Sequence, residues 1–137
     1  MEAYAIHKGA MISPLKARMT LDLVRGKDVQ TAQGILKNTN TKASRLIIKV
    51  LNSAIANAVN NQGANEAELV ISECYINPGT IYKRMHFGSR GHIDRRNKRT
   101  SHITIKVSDL KQTVVEEPAA KEEKAPKKET KKVKEAK

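Results

Sequence analysis

The sequence predicts an α+β domain: three helices packed on a small three-stranded antiparallel sheet, with a long protruding β-hairpin and a disordered C-terminal tail. Three observations predict it. Ala43, Leu46, Ile47, Val50, Leu51, Ala54 and Ala58 recur at spacings of three and four, which is the period of a helix with a wide apolar face. Ile103, Ile105 and Val107 alternate with His102, Thr104 and Lys106, which is the period of a strand with one buried face. A basic stretch, Tyr82–Arg99, separates that strand from an earlier apolar run, Leu69–Asn77. It is far longer than the roughly 2–6 residues that commonly join two strands.

The chain opens with a short strand, about Ala3 to Ile12. Ser13-Pro14 then starts a helix, with Ser13 as N-cap and Pro14 at the first helical position, where its missing N–H costs nothing. Gly26 is the natural stop, so the helix is expected to run to about Arg25. Asp28 caps a second helix through about Lys37, which Gly34 weakens. Thr41 caps the third helix, about 42–61, and Gly63 ends it. Its small members Ala54 and Ala58 let another element approach closely. Leu69–Asn77, rich in Val, Ile, Cys and Tyr, is a strand.

Composition breaks near Gln112. Residues 113–137 are almost all Lys, Glu, Ala, Pro, Thr and Val, with eight Lys and six Glu and no aromatic residue. Such a segment has too little apolar surface to offset the entropy of ordering, and it is expected to be a disordered tail. Residues 1–112 then form one α+β domain that includes an extended hairpin over about 78–104.

The whole chain carries 26 Lys and Arg against 14 Asp and Glu, a net charge of +12. Like charges repel, so an excess of this size makes sense where a polyanion neutralises it. Aromatics are few: Tyr4, Tyr75, Tyr82 and Phe87, with no Trp. That scarcity points to recognition through backbone and shape, with Lys and Arg making the contacts. No run of about 18 apolar residues is present, so no membrane span is expected. The Met1-Glu2-Ala3-Tyr4 start does not read as a signal peptide, and an intracellular protein is the expectation.

Tyr82–Arg99 contains seven cations, Lys83, Arg84, Arg90, Arg95, Arg96, Lys98 and Arg99, and one acid, Asp94. A stretch so charged cannot fold into an apolar core. Gly88-Ser89-Arg90-Gly91 lies near its middle and supplies a turn between two arms of similar length. Each arm, at about 3.3 Å per residue, reaches roughly 30 Å. Two bare strands are marginal in water, so the arm is expected to order when RNA or DNA surrounds it. His7, Lys8, Lys16, Arg18, Arg25 and Lys27 supply a second basic surface around the first helix, and Lys42, Arg45 and Lys49 add to it from the third.

Catalytic and metal chemistry find no support. One cysteine, Cys74, makes neither an internal disulfide nor a four-ligand zinc site. His86 and His92 flank the turn with only Asp94 nearby, a poor ligand set. Gly88-Ser89-Arg90-Gly91 lacks the Lys-Ser/Thr that follows in a phosphate loop. Cys74 and His102 fall inside predicted strands with no third group to orient them, so neither an enzyme nor a cofactor is expected.

Four stretches, in this order and spacing, carry a resemblance: Leu23-Val-Arg-Gly-Lys27, Ser53-Ala-Ile-Ala-Asn-Ala58, Lys83-Arg84 after Gly79, and Lys98-Arg-Thr-Ser-His-Ile-Thr-Ile105. Over about residues 1–110 the chain resembles the bacterial large-subunit ribosomal protein twenty-two family. The resemblance implies a body on the outer surface of the subunit and a hairpin threaded through ribosomal RNA. It further implies a tip that lines the peptide exit tunnel, a role in bridging RNA domains during assembly, and a cytoplasmic place in the ribosome. The implied partners are large-subunit ribosomal RNA, neighbouring ribosomal proteins and, at the tip, the nascent peptide. The implied tip is Lys83, Arg84, Met85, His86, Phe87, Gly88, Ser89, Arg90, Gly91, His92, Ile93 and Asp94. The family commonly has proline then arginine where Phe87-Gly88 stand here, and often arginine at His92. A second reading is a DNA-bending architectural protein with β-arms, in which Phe87 and Ile93 serve as an apolar wedge. Against it, no dimer-forming surface to present two arms is evident.

Overall fold

The computed structural model describes residues Glu2–Asp109; the expected disordered tail, 113–137, and the domain end near 112 lie outside the described residues. The elements run β1 (Glu2–Ala10), α1 (Pro14–Leu21), α2 (Val29–Asn38), α3 (Lys42–Gln62), β2 (Leu69–Phe87) and β3 (Ile93–Asp109). The strands form one antiparallel sheet in the order β1-β3-β2. This is the predicted α+β architecture.

Alternation along β3 decides which face is inside. Ile103, Ile105 and Val107 are fully buried, and their partners Ala3, Ala5, Ile71, Cys74 and Ile76 join them under the helices. α3 lies on β1 and β3 with Ile47, Leu51, Ala54 and Ala58 turned to the sheet. Ala54 and Ala58 of α3 are buried in the same core cluster as Ala3 and Ala5 of β1. Burying each Leu or Ile here contributes about 1.5–3 kcal/mol.

Thr41 closes a capping box with Ser44: its Oγ1 accepts from the Ser44 N–H at 3.1 Å, and the Thr41 N–H donates to Ser44 Oγ at 3.4 Å. Gly63 ends the helix in the left-handed region, φ +64°, which a Cβ would disfavour. Ser13 and Asp28 occupy the predicted N-cap positions, but neither side chain makes a cap hydrogen bond.

α1 stops at Leu21 rather than near Arg25. The chain tightens into turns, with the Val24 N–H donating to Leu21 O and the Lys27 N–H to Val24 O. The reason is tertiary. The Lys27 carbonyl accepts from the Ile71 N–H at 3.1 Å, and Asp28 bridges Val70, so residues 22–28 must leave the helix to meet the start of β2.

Both edges of the body sheet are covered by side chains. On β2, Arg18 donates to the Ile76 carbonyl from Nη2 at 3.0 Å and from Nε at 3.3 Å. Arg25 donates to the Cys74 carbonyl at 3.4 Å and pairs with Asp22 at 2.9 Å. On β1, Asn57 Nδ2 donates to Tyr4 O and Gln62 Nε2 to Glu2 O. Unpaired edge carbonyls invite pairing with other chains, and these contacts block it.

Candidate nucleic-acid interface

The long hairpin expected over about 78–104 is present: Tyr82–Arg99 forms the outer part of β2 and β3, which have 19 and 17 residues. The strands stay paired past the helices, from Ile81↔Arg99 through Arg84↔Arg96 to Phe87↔Ile93. Seven successive residues on each strand, at about 3.3 Å each, make an arm of roughly 23 Å. Residues 80–99 are all exposed, so the arm has no core of its own.

The turn forms where the glycines predicted it. Ser89–Gly91 make one 3₁₀ turn, the Gly88 N–H donates to His92 O at 2.8 Å, and the His92 N–H to Ser89 O at 3.2 Å. Arg90 and Gly91 both have positive φ, 56° and 76°. Gly91 takes this freely; Arg90 takes it at a small cost, which puts its long cation at the apex of the arm.

The base of the arm is set by a bulge. Pro78 pairs with Ser101 and Ile81 with Arg99, so Gly79 and Thr80 oppose Thr100 alone. Thr100 Oγ1 donates to the Thr80 carbonyl at 2.7 Å. A second shift lies across β3, between His7 and Ala10, where the Gly9 N–H donates to His102 Nδ1 at 2.9 Å. His102 thus serves the sheet, as a structural side chain.

Cross-strand pairing sorts the arm's side chains, because residues directly opposite share a face. Tyr82↔Lys98, Arg84↔Arg96 and His86↔Asp94 lie on one face; Ile81↔Arg99, Lys83↔Asn97, Met85↔Arg95 and Phe87↔Ile93 lie on the other. Arg84 directly opposite Arg96 destabilises the free ladder by about 0.2–1 kcal/mol. The Arg84 guanidinium sits 5.6 Å from the Tyr82 ring centre, and its Nη1 donates to Lys83 O. Asp94 is the arm's one acid, so the cations are not neutralised from within.

The other predicted basic residues are exposed on the body. His7 and Lys8 stand at the β1 bulge, Lys16 lies in the first turn of α1, and Lys27 follows the turns after it. Arg18 and Arg25 are exposed but already hold the edge of β2. Lys42, Arg45 and Lys49 lie along the solvent side of α3. The sequence reading missed an apolar stripe beside them. Leu15, Met19 and Leu23, four apart, face solvent from α1 and the following turn, while Ala17, Thr20 and Leu21 face the core. The four-residue spacing was visible in the sequence, but nothing in it tells which stripe meets the sheet.

Cys74 and His102 do not form a catalytic pair. Cys74 pairs with Ile105, three residues from His102, so the two side chains leave opposite faces of the sheet. Burial pushes the Cys74 thiol above its ordinary value, against an opposing hydrogen bond and charge from Arg25. A thiol held protonated is a poor nucleophile. Among the described residues no group of three His, Cys, Asp or Glu side chains is placed to hold a metal, and no helix is long and apolar enough to cross a membrane.

A family model described as ribosomal protein L22p/L17e matches residues 5–108. The chain belongs to the L22p/L17e family. Similar proteins named large ribosomal subunit protein uL22 include one from Halothermothrix orenii, 49% identical over 112 residues. One from Carboxydothermus hydrogenoformans is 47% identical over 112 residues. One from Staphylococcus aureus strain JH9 is 48% identical over 116 residues. Each alignment covers 99% of the relative and 82–85% of this chain. L22p/L17e proteins are structural and not enzymatic, in keeping with the absence of a catalytic set from the sequence. Membership also decides between a ribosomal protein and a β-arm DNA-bending protein, in favour of the first.

Proposed function

We propose that this member of the L22p/L17e family is a structural constituent of the bacterial large ribosomal subunit, cytoplasmic within the ribosome, that binds ribosomal RNA through its arm and lines the peptide exit tunnel with its tip. The observation that carries the reading is the arm: a ladder without a core, Arg84 opposite Arg96, and one acid among seven cations. A ladder of this kind gains stability when phosphates surround it. On this reading Lys83, Arg84, Arg90, Arg95, Arg96, Lys98 and Arg99 take phosphates from several strands of RNA. His7, Lys8, Lys16, Arg18, Arg25 and Lys27 take others at the body, so one chain bridges RNA segments and assists assembly. Neighbouring ribosomal proteins pack against the body.

The tip, Lys83–Asp94, suits a tunnel wall. Gly88, Ser89 and Gly91 offer little for a passing peptide to grip, while Arg90 reaches phosphates beside it. The test has two parts. Replacing Arg84, Arg95, Arg96 and Arg99 by Ala flattens the fall of RNA affinity with salt, whose slope counts the phosphates neutralised; an unchanged slope means the arm does not touch the RNA backbone. Deleting Tyr82-Lys83-Arg84 leaves ribosomes that assemble and translate, yet respond differently to macrolides and to an arrest peptide. Normal assembly with both responses unaltered sinks the tunnel role and leaves RNA binding standing.

A further inference from the structure

The face of the sheet that the helices cover does not end where the helices do. On β3 the alternation runs without an extra residue from Val107, Ile105, Ile103 and Ser101 outward to Arg99, Asn97, Arg95 and Ile93. The bulge residue lies on β2, so Ile81, Met85 and Phe87 come round to that same face. The core face therefore continues along the arm with no helix above it. Phe87 is 79% exposed, Met85 73% and Ile93 54%. They cluster at the far end, where Phe87 and Ile93 form the last pair of the ladder. The opposite face of the arm carries Tyr82, which has Arg84 over its ring and is 39% exposed, half the exposure of Phe87.

Phosphates give nothing to these three side chains, and only an apolar occupant gains by covering them. The surrounding charge selects which. Arg95 is paired with Met85, Arg90 is at the apex, and the arm carries seven cations with one acid. An uncharged peptide is indifferent to that field and a cationic one is repelled. RNA is the polyanion that also presents flat apolar surfaces, the faces of its bases, wherever a base is unpaired.

We propose that Phe87, flanked by Met85 and Ile93, is a base-stacking site that receives an unpaired RNA base at the tip of the arm. The proposal rests on the arm being an RNA interface and adds to it a division of labour: cations hold phosphates along the arm, and the apolar end holds a base. It also gives a purpose to Phe87 where the family resemblance leads one to expect proline.

The experiment uses the full chain and two probes of equal charge: a single-stranded RNA of about 12 nucleotides, and the same ribose-phosphate chain without bases. The parent protein binds the RNA about tenfold more tightly than the abasic chain, the effect expected of one stacked base. Phe87→Leu, which keeps the bulk and loses the aromatic face, binds both alike with an unchanged salt slope. Phe87→Trp keeps the preference. Equal binding of both probes by the parent, with a steep salt dependence, overturns base stacking while the RNA interface stands. Binding of neither probe defeats the RNA interface itself. A preference that survives both Phe87→Leu and Ile93→Ala places the base elsewhere and overturns the proposal. So does Phe87-dependent binding of an uncharged apolar peptide alongside an RNA affinity that ignores Phe87. Residue 87 is at an exposed tip, and circular dichroism of each variant confirms the fold.

Discussion

Gly79 has no room for a side chain. A Cβ there would stand 2.6 Å from Thr100 Oγ1 and 3.2 Å from the His102 ring. Thr100 cannot step aside, because it is buried and its hydroxyl is bonded to Thr80 O. Gly79→Ala is therefore expected to cost about 1–3 kcal/mol through overpacking. Thr100→Ala in the same chain relieves part of it, and a double-mutant cycle measured by urea unfolding reads the coupling. Independent, additive effects would show that the two residues do not meet. Cys74 makes a second residue-scale prediction. Its folded pKa is raised, chiefly by burial, so the thiol form is favoured in the native state. That contribution is fully present below the ordinary thiol value of 9.0 and is lost as pH rises through the folded value. Stability should fall above about pH 9.0, and Cys74→Val should flatten that part of the curve. An identical alkaline limb in both proteins would mean that Cys74 does not contribute.

Among the elements, β2 and β3 each contain two physically different halves. From Leu69 to Ile76, β2 is held by the core below, by β3 beside it and by Arg18, Arg25 and Lys27 at its edge. From Ile81 to Phe87 it has only the facing strand and solvent. An isolated two-stranded ladder is marginal in water, and this one sets Arg84 against Arg96. In the free protein, amide exchange should be slow over 71–76 and fast over 84–96, becoming slow there when RNA is bound. Strong protection of 84–96 without RNA would refute RNA-dependent ordering. The basic run, its central glycines and its flanking apolar strands were all legible in the sequence. The bulge at Gly79-Thr80 was not, because a bulge is a mismatch between two strands and neither strand alone shows it.

For the whole molecule, the matched family ends at residue 108, while the Lys- and Glu-rich 113–137 lies beyond it. Eight Lys and six Glu nearly cancel, and no aromatic residue is there to stack on a base. We propose that 1–112 is the RNA-binding unit and that the tail adds little to it. A chain truncated after Gln112 should bind RNA within about threefold of the full chain at fixed salt, since a net charge of +2 is little beside that of the body. It should also enter large subunits. Loss of either property would make the tail a binding element.

Composition and periodicity alone determined the class of this protein. Net charge +12 called for a polyanion, the three-four spacing in 42–61 called for a helix on a sheet, and alternation at 102–107 called for the buried strand beneath it. These are local properties of the chain, set by charge, side-chain size and backbone period. Tertiary structure decided what depends on distant partners. α1 ends at Leu21 because Lys27 and Asp28 must meet Val70 and Ile71. Arg18 and Arg25 close an edge that exists only once β2 pairs with β3. Which arm residues share a face follows from the turn, and which of those faces continues the core face follows from the extra residue at Gly79-Thr80. The turn at Ser89–Gly91 brings Phe87, Met85 and Ile93 together, and the bulge puts them on the continuation of the core face, an arrangement that exists only once β2 and β3 are laid side by side.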